Sequence, residues 1–264
     1  RGIAMVIMAL DHVRDYFHIT ANIDDPLNLA TTTPLLFFTR WITHFCAPVF
    51  VFLSGVSIYL QSLRKSKKNL SKFLLKRGLW LIFAEFFIIS LAWTFDPGFH
   101  ILPMQVIWTI GISMIILGLM IRLPFKLIFI TGLAIVTLHN LLDIPEAAPG
   151  FKPGFLWELL HHGFFVVYPI FSNHYFLIVY PFVAWSGLMM LGYCAGILFT
   201  GKFSSEQRKK ILLRTGIGLL LLFVILRATN FYGDPVPWEK QQSSLNTFLS
   251  FINVHKYPPS LLYL

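Results

Sequence analysis

The first apolar stretch of the chain carries ionisable side chains that could do chemistry. Asp11, Asp15 and His18 recur at helical spacing on one stripe, and His12 and Asp15 are neighbours one turn apart. Ionisable groups inside a membrane span cost a few kcal/mol, so each of them is a candidate functional residue. A carboxylate one turn from an imidazole can fix its tautomer and support the charge it gains as a general base. The spacing therefore predicts that His12 is catalytic together with Asp11, and that Asp15 contacts the substrate.

A second group of polar residues opens the next apolar stretch. Arg40 and His44 stand four residues apart, on one helical face near the outer end of the predicted helix. Pro48 has no backbone N–H, so we expect it to kink this helix and open it toward a cavity. We predict that His44 is a second base or an acceptor contact and that Arg40 binds substrate. Two structural alternatives stay open: a core His44 bonded to a backbone carbonyl, and a network pairing the two aspartates of the first stretch with Arg14 and Arg40.

Further polar residues lie on the predicted outer side of the bundle. Asn253, His255, Lys256 and Tyr257 precede a Pro-Pro pair, where they either line an acceptor site or cap helices. Of these, Asn253 and Lys256 are predicted to contact the acceptor substrate. His161, His162 and His174 lie in a long outer segment, without cysteines or a fixed carboxylate spacing around them. No metal site is therefore predicted.

Other polar residues of the apolar stretches have simpler interpretations. Glu85 is expected to pair with a neighbouring helix. A solvated interface explains His139, Asn140 and Asp143 at the outer end of the fifth span. Arg227 is expected either to line the acceptor site or to cap a helix.

The composition of the chain is that of a membrane protein. Apolar residues make up 56% of it, charged residues 12%, and the mean hydropathy is +0.69. A soluble domain carries roughly 25% charged residues, because its surface must be solvated. Much of this surface therefore faces lipid. We predict one all-α domain over residues 1–264, a polytopic bundle of transmembrane helices.

About eight apolar stretches approach the roughly 20 residues that a membrane span requires. Seven lie near residues 2–19, 36–60, 78–95, 104–121, 125–143, 176–199 and 213–231, and the eighth begins near residue 259. The chain begins without Met and stops in an apolar stretch. We therefore expect a fragment of a longer protein with further helices.

Basic residues sort to one side of the predicted bundle. They occupy the loops 61–77 and 201–214 and the turn around Arg122, whereas acidic residues gather on the other side. The positive-inside rule then makes the basic loops cytoplasmic. This requires an interfacial helix at 155–171, within an outer loop at 144–175, instead of another span. The net charge of +9 reflects this topology and contact with anionic lipid headgroups, and predicts no nucleic-acid binding.

Several motifs of the chain resemble those of membrane acyltransferases. Arg1 and His12 stand in the R-x10-H relation of acyltransferase family 3, and residues 49–55 are similar to its FFVLSG motif. Lys76 and Arg77 match its basic cytoplasmic stretch. Nearly the whole chain resembles more closely the bacterial relatives of heparan-α-glucosaminide N-acetyltransferase. The likeness lies in the Arg-Gly start, the APxFxFLxG second helix, and segments 106–111, 180–193 and 253–260.

That resemblance implies transfer of an acyl group, most simply acetyl, from cytoplasmic acetyl-CoA. The acceptor would be a hydroxyl or amine of a glycan-like molecule at the outer face of a bacterial inner membrane. Arg1, Lys76 and Arg77 would meet the phosphates of CoA, and the thioester would reach His12. Direct transfer and a covalent relay both stay open. The catalytic histidine proposed for the family's lysosomal enzyme precedes the second helix, where residues 31–34 of this chain contain no histidine.

Two other classes of protein compete with an acyltransferase. A transporter or flippase would use the polar centre as a pathway, and inverted sequence repeats, which would support it, are not visible. A non-catalytic scaffold has no reason to carry the cost of intramembrane Asp, His and Arg residues.

Overall fold

The chain folds into a mostly helical bundle. A computed structural model describes residues 1–19 and 23–264, and 64% of it is helical. A π-helical turn, Ala84–Ile89, joins the helices Lys67–Phe83 and Ser90–Thr94, and a second, Glu158–His162, extends the helix Phe155–Trp157. Short 3₁₀ turns, His139–Leu142 and Gly196–Phe199, follow the helices Phe125–Leu138 and Phe182–Ala195. The α-helices are α1 (Gly2–Phe17), α2 (Pro34–Thr43), α3 (Cys46–Ser62), α4 (Lys67–Phe83), α5 (Ser90–Thr94), α6 (Val106–Met120), α7 (Phe125–Leu138), α8 (Asp143–Glu146), α9 (Phe155–Trp157), α10 (Phe182–Ala195), α11 (Ser205–Thr229) and α12 (Ser244–Ile252).

A three-stranded sheet lies beside the helices, and the all-α prediction did not include it. It comprises β1 (Ile101–Met104), β2 (Val166–Phe171) and β3 (His174–Ile178). The central strand, β3, runs parallel to β1 and antiparallel to β2. Val, Ile, Tyr and Phe dominate these short segments and favour strands. Asn173, with φ 59°, makes the tight turn between β2 and β3.

The sheet corrects two sequence-based boundaries. The predicted interfacial helix at 155–171 is helical only to His162, because its second half is β2. The predicted span at 176–199 begins as β3, and its helix starts at Phe182. Short apolar runs do not distinguish a strand from a buried helix by periodicity.

Four helical segments of the described residues are long and apolar enough to cross a membrane. They are Pro34–Ser62, Phe125–Glu146, Phe182–Phe199 and Ser205–Thr229, and each overlaps a predicted span. The stretches predicted near 2–19, 78–95 and 104–121 are also helical, but their crossing of the membrane stays a prediction. The predicted eighth span near residue 259 is not confirmed, since residues 256–259 and 261–263 form turns.

The basic residues lie mainly on helix starts, which corrects the predicted long loops at 61–77 and 201–214. α3 ends at Ser62, α4 begins at Lys67, and α11 begins at Ser205. Ser66 and Ser204 cap the two helices by accepting hydrogen bonds from backbone N–H groups. Lys and Arg are good helix formers, so charged residues after such a cap continue the helix.

These basic segments meet at one end of the bundle. The Lys67 ammonium lies 3.4 Å from the Arg122 carbonyl oxygen. Gly196, just before residues 200–214, packs against Tyr59 near the end of α3, and α3 leads into residues 63–77. We call this the basic end, made of residues 63–77, 121–126 and 200–214.

α10 is the central helix of the core, packed against α3, α6 and α7. Trp185 and Met189 on this helix are fully buried. Gly55 of α3 and Gly192 of α10 allow the two backbones to touch. A Cβ added at Gly192 would lie 2.1 Å from the carbonyl oxygen of Phe52. Small residues at such contacts let membrane helices approach closely.

Substituting Gly192→Ala should therefore destabilise the bundle. The new methyl cannot fit without separating α3 from α10, and overpacking of this kind costs about 2 kcal/mol. Gly216→Ala is the matched control, because a Cβ there meets nothing within 4 Å. It should be neutral or slightly stabilising, since Ala favours a helix over Gly. Unfolding by SDS titration in detergent measures both variants, and equal losses would contradict the proposed close packing.

Candidate functional site

The break between α2 and α3 positions His44. α2 ends at Thr43 and α3 begins at Cys46. Pro48 has no N–H to donate to the carbonyl of His44, and the Tyr263 hydroxyl donates to this oxygen instead, at 2.9 Å. The expected interruption of the second helix is present, and a side chain from the end of the chain occupies it.

Asp11 is the centre of an ion-pair network that joins α1 to α2. The Arg40 Nη1 donates to both of its carboxylate oxygens, at 2.8 and 2.9 Å. Arg14 donates to Oδ1, and the Thr43 hydroxyl lies 2.8 Å from the same oxygen. Arg14 also donates to Asp15 at 3.0 Å. This is the network that the sequence left open as a structural alternative. With three donors on its carboxylate, Asp11 suits a positioning role better than that of a base.

His12 lies outside this network, on another face of α1. Its half-buried ring packs edge-on against Trp93 of α5, with 5.5 Å between ring centroids. Its Nδ1 is buried without a hydrogen-bond partner. The expected pairing of His12 with a carboxylate one turn away is wrong, because Asp15 is held by Arg14.

His44 lies within electrostatic reach of the charged network. It is 4% exposed, and neither ring nitrogen has a hydrogen-bond partner. Its ring stands edge-on to Tyr263, with centroids 5.6 Å apart. Lys256, Arg40 and Asp11 all act on it electrostatically. The structural alternative, a ring nitrogen donating to a backbone carbonyl, is absent. A buried polar group without a partner requires an explanation, such as a ligand that supplies the missing hydrogen bond.

Residues near the end of the chain complete the surroundings of His44. Lys256 is 8% exposed, and its ammonium lies 5.0 Å from the centre of the Tyr257 ring. The Tyr257 hydroxyl lies 3.3 Å from that of Tyr180, which precedes α10. The surroundings of His44 thus include a cation and two phenols.

The segment that carries Lys256 is anchored by residues at the end of α7. The His139 Nε2 lies 2.9 Å from the Pro259 carbonyl oxygen. The side-chain Oδ1 of Asn140 accepts a hydrogen bond from the Leu261 N–H at 2.8 Å. Both side chains are buried. The expectation of a solvated interface at His139 and Asn140 is therefore wrong.

The side chains of Arg227 and Asn253 donate hydrogen bonds to backbone carbonyl oxygens. The Arg227 guanidinium donates to the carbonyl oxygens of Phe251, Ser250 and Asn253, at 2.9, 3.1 and 2.7 Å. These are orphan carbonyls at the end of α12. The capping role considered for Arg227 is confirmed. The Asn253 amide reaches the Leu27 carbonyl at 3.4 Å, so its predicted contact with substrate stays a prediction with a structural competitor.

Glu85 joins two helices, as expected. Its Oε1 accepts from the Gln105 N–H at 3.2 Å, at the N-terminus of α6, where backbone N–H groups lack partners within the helix. A carboxylate at this end of a helix also suits the helix dipole.

A cavity of about 350 Å³ lies toward the basic end. Arg1 and Arg77 line it, together with Ser54, Ser57 and Gln61 of α3. The Arg1 guanidinium lies 3.3 Å from the Ser54 hydroxyl. Lys76, the third predicted cofactor contact, is exposed and does not line the cavity.

The structure thus gathers some predicted site residues and separates others. Asp11, Arg40, His44 and Lys256 surround one buried region, Arg1 and Arg77 share a cavity, and His12 stands apart from both. Thr43, Tyr180 and Tyr263 were not predicted from the sequence as site residues. Of these three, only Tyr180 lies in a segment that carries the family resemblance.

Comparison with known proteins identifies a family for most of the chain. The family described as heparan-alpha-glucosaminide N-acetyltransferase, catalytic, matches residues 1–227. No curated protein matches the chain. No solved structure matches it either.

Proposed function

We propose a function from the premise that the chain belongs to the heparan-alpha-glucosaminide N-acetyltransferase catalytic family. Its family membership and its apolar helices indicate that the chain is an integral membrane protein of a transferase family. The proposal is acetyl transfer from cytoplasmic acetyl-CoA to a hydroxyl or amine of a glycan-like acceptor. The acceptor would bind on the side of the bundle away from the basic end.

The cavity toward the basic end suits the acyl donor. Arg1 and Arg77 provide guanidinium groups for the phosphates of CoA, which arginine binds in bidentate fashion. Ser54 and Ser57 line the same cavity, so polar groups continue along α3 toward the helix break. From Ser54 to His44 a helix rises about 15 Å, a path that the extended pantetheine arm would follow.

The single observation that carries the proposal is the buried His44 imidazole. It has two unpartnered ring nitrogens beside an Arg, an Asp and a Lys. A neutral imidazole can take the proton from an acceptor hydroxyl or amine as that atom attacks the thioester carbonyl. The carbon–sulfur bond then breaks, and the proton passes to the departing CoA thiolate. Lys256 and Arg40 would offset negative charge on the carbonyl oxygen, and Asp11, which accepts hydrogen bonds from Arg40, would hold it in position.

The proposed function is tested with purified protein in detergent or nanodiscs. Labelled acetyl-CoA is supplied together with an amino sugar such as glucosamine or a short glycan, and acetylated product is measured. CoA-dependent acetylation supports the proposal. Transport of the sugar in proteoliposomes without CoA, and without acetylated product, would favour the transporter reading instead.

Arg77→Gln should weaken CoA binding about tenfold, because it removes a charged phosphate contact worth about 1.4 kcal/mol. Lys76→Gln is the matched control, since it removes the same charge next to Arg77 but outside the cavity. It should change the affinity less than twofold. Calorimetric titration with CoA at fixed salt measures both, and equal effects would indicate only a diffuse attraction to the basic end.

A further inference from the structure

A cluster of imidazole and carboxylate groups lies apart from the site described above. It joins α8 to the π-helical turn Glu158–His162. One ligand atom each of Asp143, Glu146 and His161 lies within 4.8 Å of the others. Neither the family match nor the proposed acyl transfer gives these residues a role.

Each histidine of the cluster faces a carboxylate. The His161 Nε2 lies 2.7 Å from the Asp143 Oδ1, and the His162 Nδ1 lies 2.8 Å from the Glu146 Oε2. The second oxygen of each carboxylate is held from outside the cluster, by the Asn140 amide at 2.7 Å and by the Trp157 indole N–H. Such outer hydrogen bonds orient the carboxylates of metal sites.

Glu158 adds a buried carboxylate that has no partner of its own. It is 4% exposed, and its Oε2 has no hydrogen-bond partner. Burial raises the pKa of Glu158, the charge of His162 lowers it, and the charge of Glu146 raises it. The carboxylate of Glu158 therefore interacts electrostatically with two residues of the cluster. The charges of Glu146 and Glu158 repel one another, and a cation would offset that repulsion.

We propose that Asp143, Glu146, His161 and His162 bind one divalent transition-metal ion of the Zn²⁺ type. Mixed imidazole and carboxylate ligands suit Zn²⁺ and its neighbours. Ligand atoms about 2.0 Å from a tetrahedral ion lie about 3.3 Å apart. Asp143, Glu146 and His161 already have ligand atoms within 4.8 Å of one another, and His162 would join them from its contact with Glu146. Glu158, which interacts electrostatically with His162, would help to offset the positive charge of the ion.

The ion would stabilise the end of the bundle that carries Lys256. It would cross-link the region after α7 to the turn at Glu158–His162. The rings of His161 and His139 lie 6.2 Å apart, and His139 contacts the Pro259 carbonyl. Solvent can reach the cluster, because the His162 side chain is 39% exposed.

The test uses the whole chain in detergent, stripped with EDTA and titrated with Zn²⁺. We expect one equivalent of zinc to remain after desalting, and a higher melting temperature with zinc than with EDTA. The double variant Asp143→Asn, His161→Gln should bind zinc at least tenfold more weakly. His162→Gln, at a more exposed position, gives a second reading if the double variant does not fold, and should lose about tenfold.

A second imidazole–carboxylate group supplies the matched control. His100 lies 2.8 Å from Asp96, next to the ring of His174, in an exposed position. The variant His100→Gln, His174→Gln should leave zinc binding unchanged. Absence of retained zinc in the unsubstituted protein, or undiminished binding in both cluster variants, would overturn the proposal. Because these readings do not use acetyl transfer, they are independent of the proposed function.

Discussion

Replacing His44 by Gln should lower the turnover of acetyl transfer by about a hundredfold to ten-thousandfold, the usual contribution of a general base. The amide is close to the imidazole in size but cannot accept the proton of the acceptor. His44 is buried, and its ring nitrogens form no hydrogen bond that the fold would lose. The variant should therefore fold, and its affinity for CoA should not change. Turnover at saturating acetyl-CoA and acceptor, with CoA binding measured alongside, checks both parts.

His12→Gln is the matched comparison on the neighbouring helix. The sequence predicts His12 as the catalytic group, whereas the structure packs its ring against Trp93 and away from the charged network. We expect this variant to keep turnover within tenfold of the unsubstituted protein. A collapse of activity in His12→Gln, with His44→Gln still active, would restore His12 as the base and contradict our assignment.

Asp11→Asn should cost about 3 kcal/mol of unfolding free energy. Removing one member of a buried ion pair leaves its partner without compensation. Here Arg40 has no other salt bridge among the described residues, and Arg14 keeps only the more exposed Asp15. The side chains of Asp11 and Arg40 are only 14% and 16% exposed. Water therefore compensates the loss poorly. SDS titration in detergent, followed by circular dichroism, measures the change.

Asp15→Asn is the control for this loss, one turn along α1. Asp15 is 39% exposed and makes a single ion pair, with Arg14, so its removal should cost less than about 1 kcal/mol. Equal losses at both positions would mean that the network contributes through general charge balance. A small loss at Asp11 would contradict its role in joining α1 to α2.

The charged network could be predicted from the sequence because ionisable side chains without partners are energetically unfavourable in a membrane. Arg and Asp residues in apolar stretches must find partners, and few were available to Asp11 and Asp15. Their pairing with Arg14 and Arg40 could therefore be anticipated. The break near His44 could be anticipated as well, because Pro48 cannot complete the helical hydrogen bonds.

The directions of individual side chains and the contacts between distant segments could not be predicted from the sequence. Asp11 and His12 are adjacent in sequence, yet one faces Arg40 and the other Trp93. Neighbours on a helix point about 100° apart, and only the packing partners decide which of them is functional. The approach of Tyr263 to the His44 carbonyl depends on a segment of turns, for which no hydrophobic periodicity exists.

The sequence by itself determined that this is a helical membrane protein, which polar residues its bundle must hold, and, through its motifs, the family. Those properties follow from composition, hydropathy and local spacing. The tertiary structure alone decided that His44 rather than His12 meets the charged network, and that Arg77 but not Lys76 enters the cavity. It also gathered the residues around Asp143 and His161. Each of these depends on how separate helices pack, and packing is set by contacts between residues far apart in the chain.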